Sequence, residues 1–387
     1  MKILHCCLAC FYIDDYSYQE NILPKFHKIQ GNDVKILAST ETYIDNKVLG
    51  NTVSGTYYNE DGIEVTRINY SKYLPLFLAK KIRKYIGIYE YIDKYKPEVI
   101  FLHDCGFAGV FDIIKYCKKN KDVIVYADSH TDFINSANNF VSKYILHKII
   151  YRYFIYRMVP YLEVFYGTTP LRCEFLEEVY NVPKHKIQLL NFGADDTVFN
   201  TLSREKTSVD FRKKNNIDKD SFLFITGGKI DERKNIHLIM QAFVELELPD
   251  VYLIVFGVPN DLMKKRLEKY KNVRNIIQLG WLNNKQIYEA LLSSNFGLFP
   301  GTHSVLWEQS IGIGLPCAFK RWHGMEHVDV GANCVFFKEG SKNEIIDLIN
   351  KIINSKKYFE KINFNAMKYG PMNFSYSEIS KKAINKN

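Results

Sequence analysis

A short stretch in the second half of the chain combines the residue types that bind phosphate. The run Phe222–Thr226 is apolar with aromatic and β-branched side chains, which favours a buried strand of a parallel sheet. Two glycines and three cations follow it: Gly227, Gly228, Lys229, Arg233 and Lys234. Asn235 is then suited to cap a helix, and apolar residues recur at helical spacing from Ile236 onward.

Glycines let an anion approach the backbone closely, and the N–H groups at a helix N-terminus attract it. The stretch therefore predicts a phosphate site. An ordinary strand-to-helix turn with solvated lysines would have the same residues, so this alternative stays open from the stretch alone.

Polar side chains also end two predicted strands of the first half. His130 lies in ADSHTDF, after the predicted strand Val123–Ala127, and His103 and Asp104 end the predicted strand Val99–His103. The carboxyl ends of strands are where a doubly wound sheet places its ligand contacts. We therefore expect His130 to be a site residue, with a histidine packed at a strand end as the alternative. For His103 and Asp104, a structural role and ligand binding are equally supported.

The loop Asp14–Glu20 follows the first predicted strand and contains no glycine, so it is not expected to hold phosphate. Its Tyr18 and Gln19 are candidates to bind hydroxyl groups of a ligand. A loop that only caps the next helix explains them as well.

The elements that would position these residues alternate between strand and helix. In the first half, we predict strands at 2–10, 34–38, 65–68, 99–103, 123–127, 164–166 and 187–190, and helices at 19–30, 74–95, 110–117, 141–158 and 170–180. Residues 40–62 are predicted to form a loop or a small excursion. In the second half, we predict strands at 222–226, 251–256, 276–279, 296–299, 316–319 and 334–337.

This alternation predicts an α/β fold with two Rossmann-like, doubly wound parallel-sheet domains. We place them at residues 1–193 and 194–370, with a C-terminal helix at 371–387 that crosses back to the first domain. The length of 387 residues suits two domains. The net charge of +9 fits a phosphate-bearing partner, namely a nucleotide, an anionic membrane or a nucleic acid. No nucleic-acid-binding module is recognisable, so we expect no nucleic acid partner.

Eight scattered cysteines favour a reducing, cytoplasmic compartment. Cys7 and Cys10 have CxxC spacing, but no second pair completes a zinc site, so buried free thiols are expected. The N-terminus is too weakly charged for a signal peptide, and no run of 18 apolar residues predicts a membrane span.

Several segments, in order, resemble one family. NFGADDTVF (Asn191–Phe199) resembles an N-G-V-D-x-x-x-F linker, and GGKIDERKN resembles a G-G-R-x-x-x-x-K-N phosphate turn. YLIVFG, IQLGW and FGLFPG follow, and WEQSIGIGLPCAF resembles L-E-A-M-A-x-G-x-P-V-V. Together they resemble the GT-B-fold glycosyltransferases of retaining family four, in which the two domains face each other across a cleft.

The resemblance implies roles for individual residues. The Gly227–Gly228 turn with Lys229, Arg233 and Lys234 would hold the donor diphosphate. Glu308 would accept hydrogen bonds from the ribose hydroxyls, although a helix N-terminus also favours a carboxylate on structural grounds alone. His130 would face the donor sugar as the catalytic residue, and the N-terminal domain would bind the acceptor through Tyr18, Gln19, His103 and Asp104.

One departure from the family concerns the first glutamate of its E-x7-E signature. Pro300 stands at that position, and the segment before Glu308 is about four residues shorter. We therefore expect the backbone N–H groups of the short loop to reach the donor sugar instead. The residues of that loop are Gly301, Thr302, His303 and Ser304.

The expected function is metal-independent, retaining transfer of a sugar from a nucleotide donor, UDP-linked, to a glycan or lipid-linked acceptor in bacterial surface polysaccharide synthesis. No DxD-like pair asks for a metal ion, and no cofactor is expected. A sugar-nucleotide epimerase of the same fold and a degenerate, non-catalytic binding subunit are the alternatives.

Two segments, Lys72–Lys84 and Lys143–Arg157, interleave cations with apolar residues. Contact with the inner face of an anionic membrane is therefore a further hypothesis. Buried helices with basic edges have a similar composition and are the alternative.

Overall fold

The computed structural model describes residues 1–44, 48–132 and 147–385, and the chain divides into two compact units. The first comprises Met1–Asn191 together with the C-terminal segment that begins at Ser380. The second comprises Phe192–Ile379. Each unit is an α/β domain with its own hydrophobic core.

The first domain contains, within its described residues, an eight-stranded sheet and a separate hairpin. Its strands are β1 (Lys2–Cys7), β2 (Asp33–Ser39), β3 (Glu41–Ile44), β4 (Val48–Asn51), β5 (Gly55–Tyr58), β6 (Glu64–Ile68), β7 (Val99–His103), β8 (Ile124–Ser129), β9 (Val164–Gly167) and β10 (Ile187–Leu189). The sheet order is β10-β9-β8-β7-β1-β2-β6-β5, and all pairs are parallel except β5 with β6. Strands β1, β7 and β8 are central and almost fully buried, as a sheet covered on both faces requires.

The helices of the first domain are α1 (Gln19–Ile29), α2 (Leu76–Ile82), α3 (Ile88–Tyr95), α4 (Val110–Lys119), α5 (Arg152–Met158) and α6 (Pro170–Glu178). The single helix predicted for 74–95 is wrong, because the chain breaks into α2 and α3. Arg83 at φ 51° and Gly87 at φ 80° take left-handed conformations there. Tyr85, in the break, forms an isolated antiparallel β-bridge with Tyr70, and its hydroxyl donates to the Leu8 carbonyl at 2.8 Å. These tertiary contacts interrupt the helix.

The excursion at 40–62 contains three short strands, β3, β4 and β5. The predicted helix 141–158 lies partly outside the described residues, and its described end forms α5.

The second domain contains, within its described residues, a six-stranded, wholly parallel sheet in the order β13-β12-β11-β14-β15-β16. The strands are β11 (Phe222–Gly227), β12 (Val251–Phe256), β13 (Ile276–Gly280), β14 (Phe296–Phe299), β15 (Cys317–Lys320) and β16 (Cys334–Phe337). The helices are α7 (Asp196–Phe199), α8 (Arg204–Lys214), α9 (Ile236–Leu246), α10 (Asp261–Leu267), α11 (Asn284–Ser293), α12 (Leu306–Gly312), α13 (Lys342–Asn354) and α14 (Lys356–Phe374). A last helix, α15 (Tyr376–Ala383), begins in this domain and ends in the C-terminal segment of the first domain. Its strands agree with the predicted ones to within one residue at each end.

The C-terminal segment is tied to the first domain by backbone carbonyls. Three of them accept hydrogen bonds from buried side chains: Ser380 from His27 Nε2 at 2.9 Å, Lys382 from Tyr166 at 3.0 Å, and Ile384 from Tyr126 at 3.3 Å. Gln30 also donates to the Ser380 hydroxyl at 2.7 Å. No helix within the described residues is long and apolar enough to cross a membrane.

Candidate functional site

The phosphate turn of the second domain follows β11 directly. Gly228 lies at φ 107°, a left-handed value that glycine adopts without strain, and Lys229 is exposed after it. Asp231 then caps a short 3-10 helix, Glu232–Lys234, by accepting from the Arg233 N–H at 3.1 Å. Arg233 also forms an ion pair with the Asp231 carboxylate at 2.6 Å, so its charge is already partly balanced.

The prediction that Asn235 caps the following helix is wrong. Asn235 is left-handed at φ 56° and makes no side-chain cap to α9. Its amide instead donates to the Pro300 carbonyl at 3.0 Å, so it joins the turn to the loop before α12.

Lys234 joins the same two segments through its ammonium group. Nζ donates to the Thr302 carbonyl at 2.7 Å and to the His303 carbonyl at 3.0 Å. Burial lowers the pKa of Lys234 to about 8. Because an ammonium has three N–H groups, one remains for a ligand among the contacts of the described residues.

The loop Gly301–Ser304 packs directly on this turn. A Cβ at Gly301 would lie 2.3 Å from the Arg233 carbonyl oxygen, so only glycine permits the approach. The Thr302 N–H donates to that same oxygen at 3.0 Å. The expectation that backbone N–H groups of this loop reach the donor sugar therefore does not hold for Thr302, whose N–H is already used.

Glu308 is fully buried in the first turn of α12 and receives two imidazole donors on one oxygen. His303 Nε2 lies 2.7 Å and His327 Nε2 3.0 Å from Oε1. Burial raises the pKa of Glu308, but the two histidines outweigh it and hold the pKa at about 2. The other oxygen, Oε2, is buried without a hydrogen-bond partner among the described residues. A buried carboxylate oxygen left unpaired favours a ligand that donates to it.

His327 is a residue of this cluster that the sequence did not reveal. It lies in the 3-10 helix Glu326–Val328, which follows β15, and its side chain is almost fully buried. His327 lies 19 residues after Glu308 in the chain, and no sequence motif contains it. The sequence predicts a role for the backbone of His303, whereas the structure shows that its ring also positions Glu308.

In the first domain, Asp128 at the end of β8 lies between two predicted site residues. His103 Nδ1 lies 3.0 Å from Oδ2, and His130 Nε2 lies 3.5 Å from Oδ1. Burial lowers the pKa of His130, but Asp128 raises it further, so the net change is upward. Asp128 is fully buried, and its pKa is held below its usual range by the two histidines against the effect of burial.

The residues predicted to bind an acceptor separate into two groups. Tyr18 is exposed and packs against Tyr16 with the two rings tilted, and Asp104 is half-buried at φ 70°. Gln19 and His103 are each 1% exposed. Because the Gln19 amide donates to Asp128 at 3.0 Å, its position supports orientation of that carboxylate rather than direct contact with an acceptor.

Two buried histidines that no sequence motif marks extend this cluster. In β1, His5 Nδ1 lies 3.1 Å from His103 Nε2, and His5 Nε2 lies 2.9 Å from Nδ1 of His27 in α1. Burial lowers the pKa of His5 and that of His27, the latter to about 4. His5 stands among apolar residues in the sequence, so the sequence does not indicate that it contacts two other histidines.

Among the described residues, two groups have ligand atoms close enough to hold a metal ion: His103, Asp128 and His130, and His303, Glu308 and His327. In both groups the nitrogen and oxygen atoms lie at hydrogen-bond or ion-pair distances from each other.

Two cavities matter for the site. One of about 290 Å³ in the first domain is lined by His103, Asp128 and His130. A larger one, of about 620 Å³, lies between α8 and α11 in the second domain. The described residues that line this larger cavity include no predicted site residue, so we do not assign the chemistry to it.

Comparison with known proteins bears on both domains. Residues 208–369 match the family described as glycosyl transferases group 1. An uncharacterized glycosyltransferase of Methanocaldococcus jannaschii is 27% identical over 260 residues, 64% of this chain. The match spans 58% of the length of that relative.

Solved structures resemble the whole chain. Anabaena HepE in complex with UDP has a TM-score of 0.71 at 14% identity, covering 99% of this chain and 98% of its own. WaaG, a glycosyltransferase involved in lipopolysaccharide biosynthesis, has a TM-score of 0.65 at 14% identity and 98% coverage of both chains. At this identity the likeness concerns the fold, and it confirms the predicted GT-B fold class.

Proposed function

We propose that this chain, whose residues 208–369 match the family described as glycosyl transferases group 1, transfers a sugar from a UDP-sugar to a glycan or lipid-linked acceptor. The transfer retains the anomeric configuration and needs no metal ion. The observation that carries the donor assignment is the pairing of Glu308, a fully buried carboxylate. One of its oxygens accepts hydrogen bonds from two imidazoles, and the other has no hydrogen-bond partner among the described residues.

The pairing of Glu308 supports a ribonucleotide as the donor. An ionised carboxylate accepts hydrogen bonds and donates none, so the buried Oε2 calls for a donor group such as a ribose hydroxyl. The two histidines keep Glu308 ionised by holding its pKa at about 2, against burial, which raises it. A purely capping carboxylate would instead pair with the backbone N–H groups of its helix.

The turn after β11 supports stabilisation of the leaving diphosphate by fixed charges. Lys229 is exposed after the two glycines, and Lys234 has one N–H group left beside the loop carbonyls that it binds. Positive groups held in place where charge develops lower the barrier without a metal. His130 is proposed to contact the donor sugar, with Asp128 fixing its ring and favouring its charged form.

Peripheral contact with an anionic membrane is supported by exposed apolar side chains beside cations. Tyr73, Leu76 and Phe77 in and before α2 are 92%, 60% and 69% exposed. Lys80 and Lys81 lie on the same helix. Aromatic and aliphatic groups bordered by lysines are typical of segments that lie on anionic lipid. We place the protein at the inner face of a bacterial membrane, in surface polysaccharide synthesis.

The proposed function is tested by a donor screen. Thermal shift and hydrolysis are measured with UDP-, GDP-, ADP- and TDP-sugars, because a ligand that binds the native state raises its melting temperature. Stabilisation by the UDP-sugar above the others, with release of UDP and sugar, is expected.

Two outcomes of the screen would contradict the proposal. Conversion of the UDP-sugar into an epimer without release of UDP would favour the epimerase alternative. Absence of stabilisation by every nucleotide sugar would favour a non-catalytic binding subunit.

A further inference from the structure

The cavity of about 290 Å³ in the first domain has a distinctive distribution of charge. It lies beyond the carboxyl ends of β1, β7 and β8, and its charged or titratable lining residues are Arg83, Asp104, Asp128, His130 and His147. Its volume is at the lower end of ligand pockets, with room for one sugar ring or a phosphate group. Which of these charges are already paired decides what the cavity can bind.

The Asp104 carboxylate accepts hydrogen bonds from its own neighbourhood. Its Oδ1 accepts hydrogen bonds from the backbone N–H groups of Cys105 at 2.6 Å and Gly106 at 2.9 Å. Its Oδ2 accepts from the Thr131 hydroxyl at 3.3 Å. Both oxygens are therefore used within the domain.

The negative charge of Asp128 is balanced by a positive charge on the histidines that are hydrogen-bonded in a chain to it. The chain runs from the Ser380 carbonyl through His27, His5 and His103 to the Asp128 carboxylate. Its four hydrogen bonds need four N–H groups, because both ends can only accept, whereas three neutral imidazoles supply three. One ring must therefore be an imidazolium.

The two rings closest to the carboxylate are His103 and His130. The pKa of His5 lies well below its usual value and that of His27 is about 4, in both cases chiefly because of burial, so neither holds the extra proton at neutral pH. The charge of Asp128 is thus balanced inside the domain, and the Gln19 amide adds a further donor to it.

Arg83 is the cation of this cavity whose hydrogen-bond donors are not used by the described residues. Within the part of the chain that the structure describes, its guanidinium makes no hydrogen bond and no ion pair, and it lies 6.0 Å from the centre of the Phe11 ring. Asp104 attracts it through space, without direct contact. A guanidinium presents five N–H donors in a fork that matches the two oxygens of a carboxylate or a phosphate.

We propose that this cavity binds an anionic group of the acceptor, a carboxylate or a phosphate, through Arg83. The identification of the ligand as an acceptor rests on the proposed transferase function. An acidic sugar supplies the carboxylate, and a lipid-linked or phosphorylated glycan supplies the phosphate.

The test measures binding by calorimetry to the full-length chain saturated with UDP, which keeps phosphate groups out of the donor site. The probes are D-glucuronate, glucose 1-phosphate and, as the uncharged reference, D-glucose. We expect one of the two anions to bind at least tenfold more tightly than D-glucose. That ratio corresponds to about 1.4 kcal/mol.

Two variants locate the binding. Arg83→Gln should reduce the affinity for the anion to that for D-glucose. Gln adds no backbone strain beyond that of Arg83 itself, since both are non-glycine residues at the φ of 51°. Lys81→Gln is the matched control, because it removes one positive charge from an exposed position on the same helix and should leave the affinity unchanged. If Arg83→Gln melts early, Arg83→Lys replaces it and should weaken binding of the anion while keeping UDP affinity.

The outcomes separate this inference from the proposed function. Tighter binding of D-glucuronate identifies a carboxylate, and tighter binding of glucose 1-phosphate identifies a phosphate. If UDP binds but neither anion exceeds D-glucose, or if Lys81→Gln loses the anion equally, the subsite is refuted. If UDP itself does not bind, the donor assignment fails instead.

Discussion

The substitution Glu308→Gln tests the donor site most directly. Glutamine keeps the shape of the side chain but replaces one carboxylate oxygen by an NH₂ group and removes the charge. Oε1 must still accept from His303 and His327, so the amide oxygen takes that place and the NH₂ group takes the place of Oε2. A donor would then face the ribose hydroxyl where an acceptor stood.

The magnitude follows from the interactions that are lost. Hydrogen bonds to a charged group contribute roughly 1.5–3 kcal/mol, so UDP affinity should fall by about 10- to 150-fold. The pKa of Glu308 lies at about 2 against an ordinary value of 4.5, which corresponds to about 3 kcal/mol of stability. Because the folded pKa is the lower one, this stability is present above pH 4.5 and is lost as the pH falls towards 2.

The assay is calorimetry with UDP and with 2′-deoxy-UDP, beside a thermal melt. Glu344→Gln is the matched control, since Glu344 occupies the same third position of its helix but accepts backbone N–H groups in a capping box. The control should lower the melting temperature and leave the preference for UDP over 2′-deoxy-UDP unchanged. Glu308→Gln should reduce that preference.

A result in which Glu308→Gln behaves like Glu344→Gln would refute the ribose assignment. The wild-type preference for UDP over 2′-deoxy-UDP would then be retained, and only stability would change. Glu308 would be a structural carboxylate that pairs two histidines.

Other parts of the site have their own tests. Lys229→Ala and Lys234→Ala should each lower kcat/KM by about 10- to 150-fold, the scale of a charge-assisted hydrogen bond, and wild-type turnover in both would contradict the phosphate assignment. Because burial lowers the pKa of Lys234 to about 8, kcat/KM should fall as the pH rises through 8, and Lys234→Arg should remove that fall; an unchanged profile would show that its charge is not needed. His130→Ala should lower kcat far more than UDP affinity, and an equal loss in calorimetry would argue against a role at the sugar. Replacing Leu76 and Phe77 by serine should reduce co-sedimentation with anionic vesicles but not with neutral ones, and equal binding to both vesicles would remove the membrane hypothesis.

The strands were the most predictable part of this protein. A buried parallel strand such as Val251–Phe256 is a continuous apolar run, and the pattern alone locates it. Helix boundaries are harder to predict from the sequence where contacts outside the helix determine them. The break between α2 and α3 depends on Tyr85 reaching the Leu8 carbonyl, 77 residues away in the chain, and the composition of the segment contains no sign of it.

The candidate site was partly predictable, for a similar reason. Glu308 and Lys234 stand in motifs of fixed spacing, so the sequence could identify them. His327 and His5 could not be found, because each matters through a partner that the fold brings close. Asn235 shows the opposite case, a residue with the right type for a cap that forms a hydrogen bond to the Pro300 carbonyl instead.

The three C-terminal carbonyls that bind His27, Tyr166 and Tyr126 have a consequence for folding during synthesis. The first domain is made first, yet its hydrogen bonds are complete only when the segment after Ser380 has left the ribosome. At ~5–20 residues per second, the intervening domain delays this by on the order of 10–40 s. During that time the buried imidazole and the two tyrosine hydroxyls lack these acceptors, so the first domain reaches its full stability only after the segment from Ser380 onward has been made.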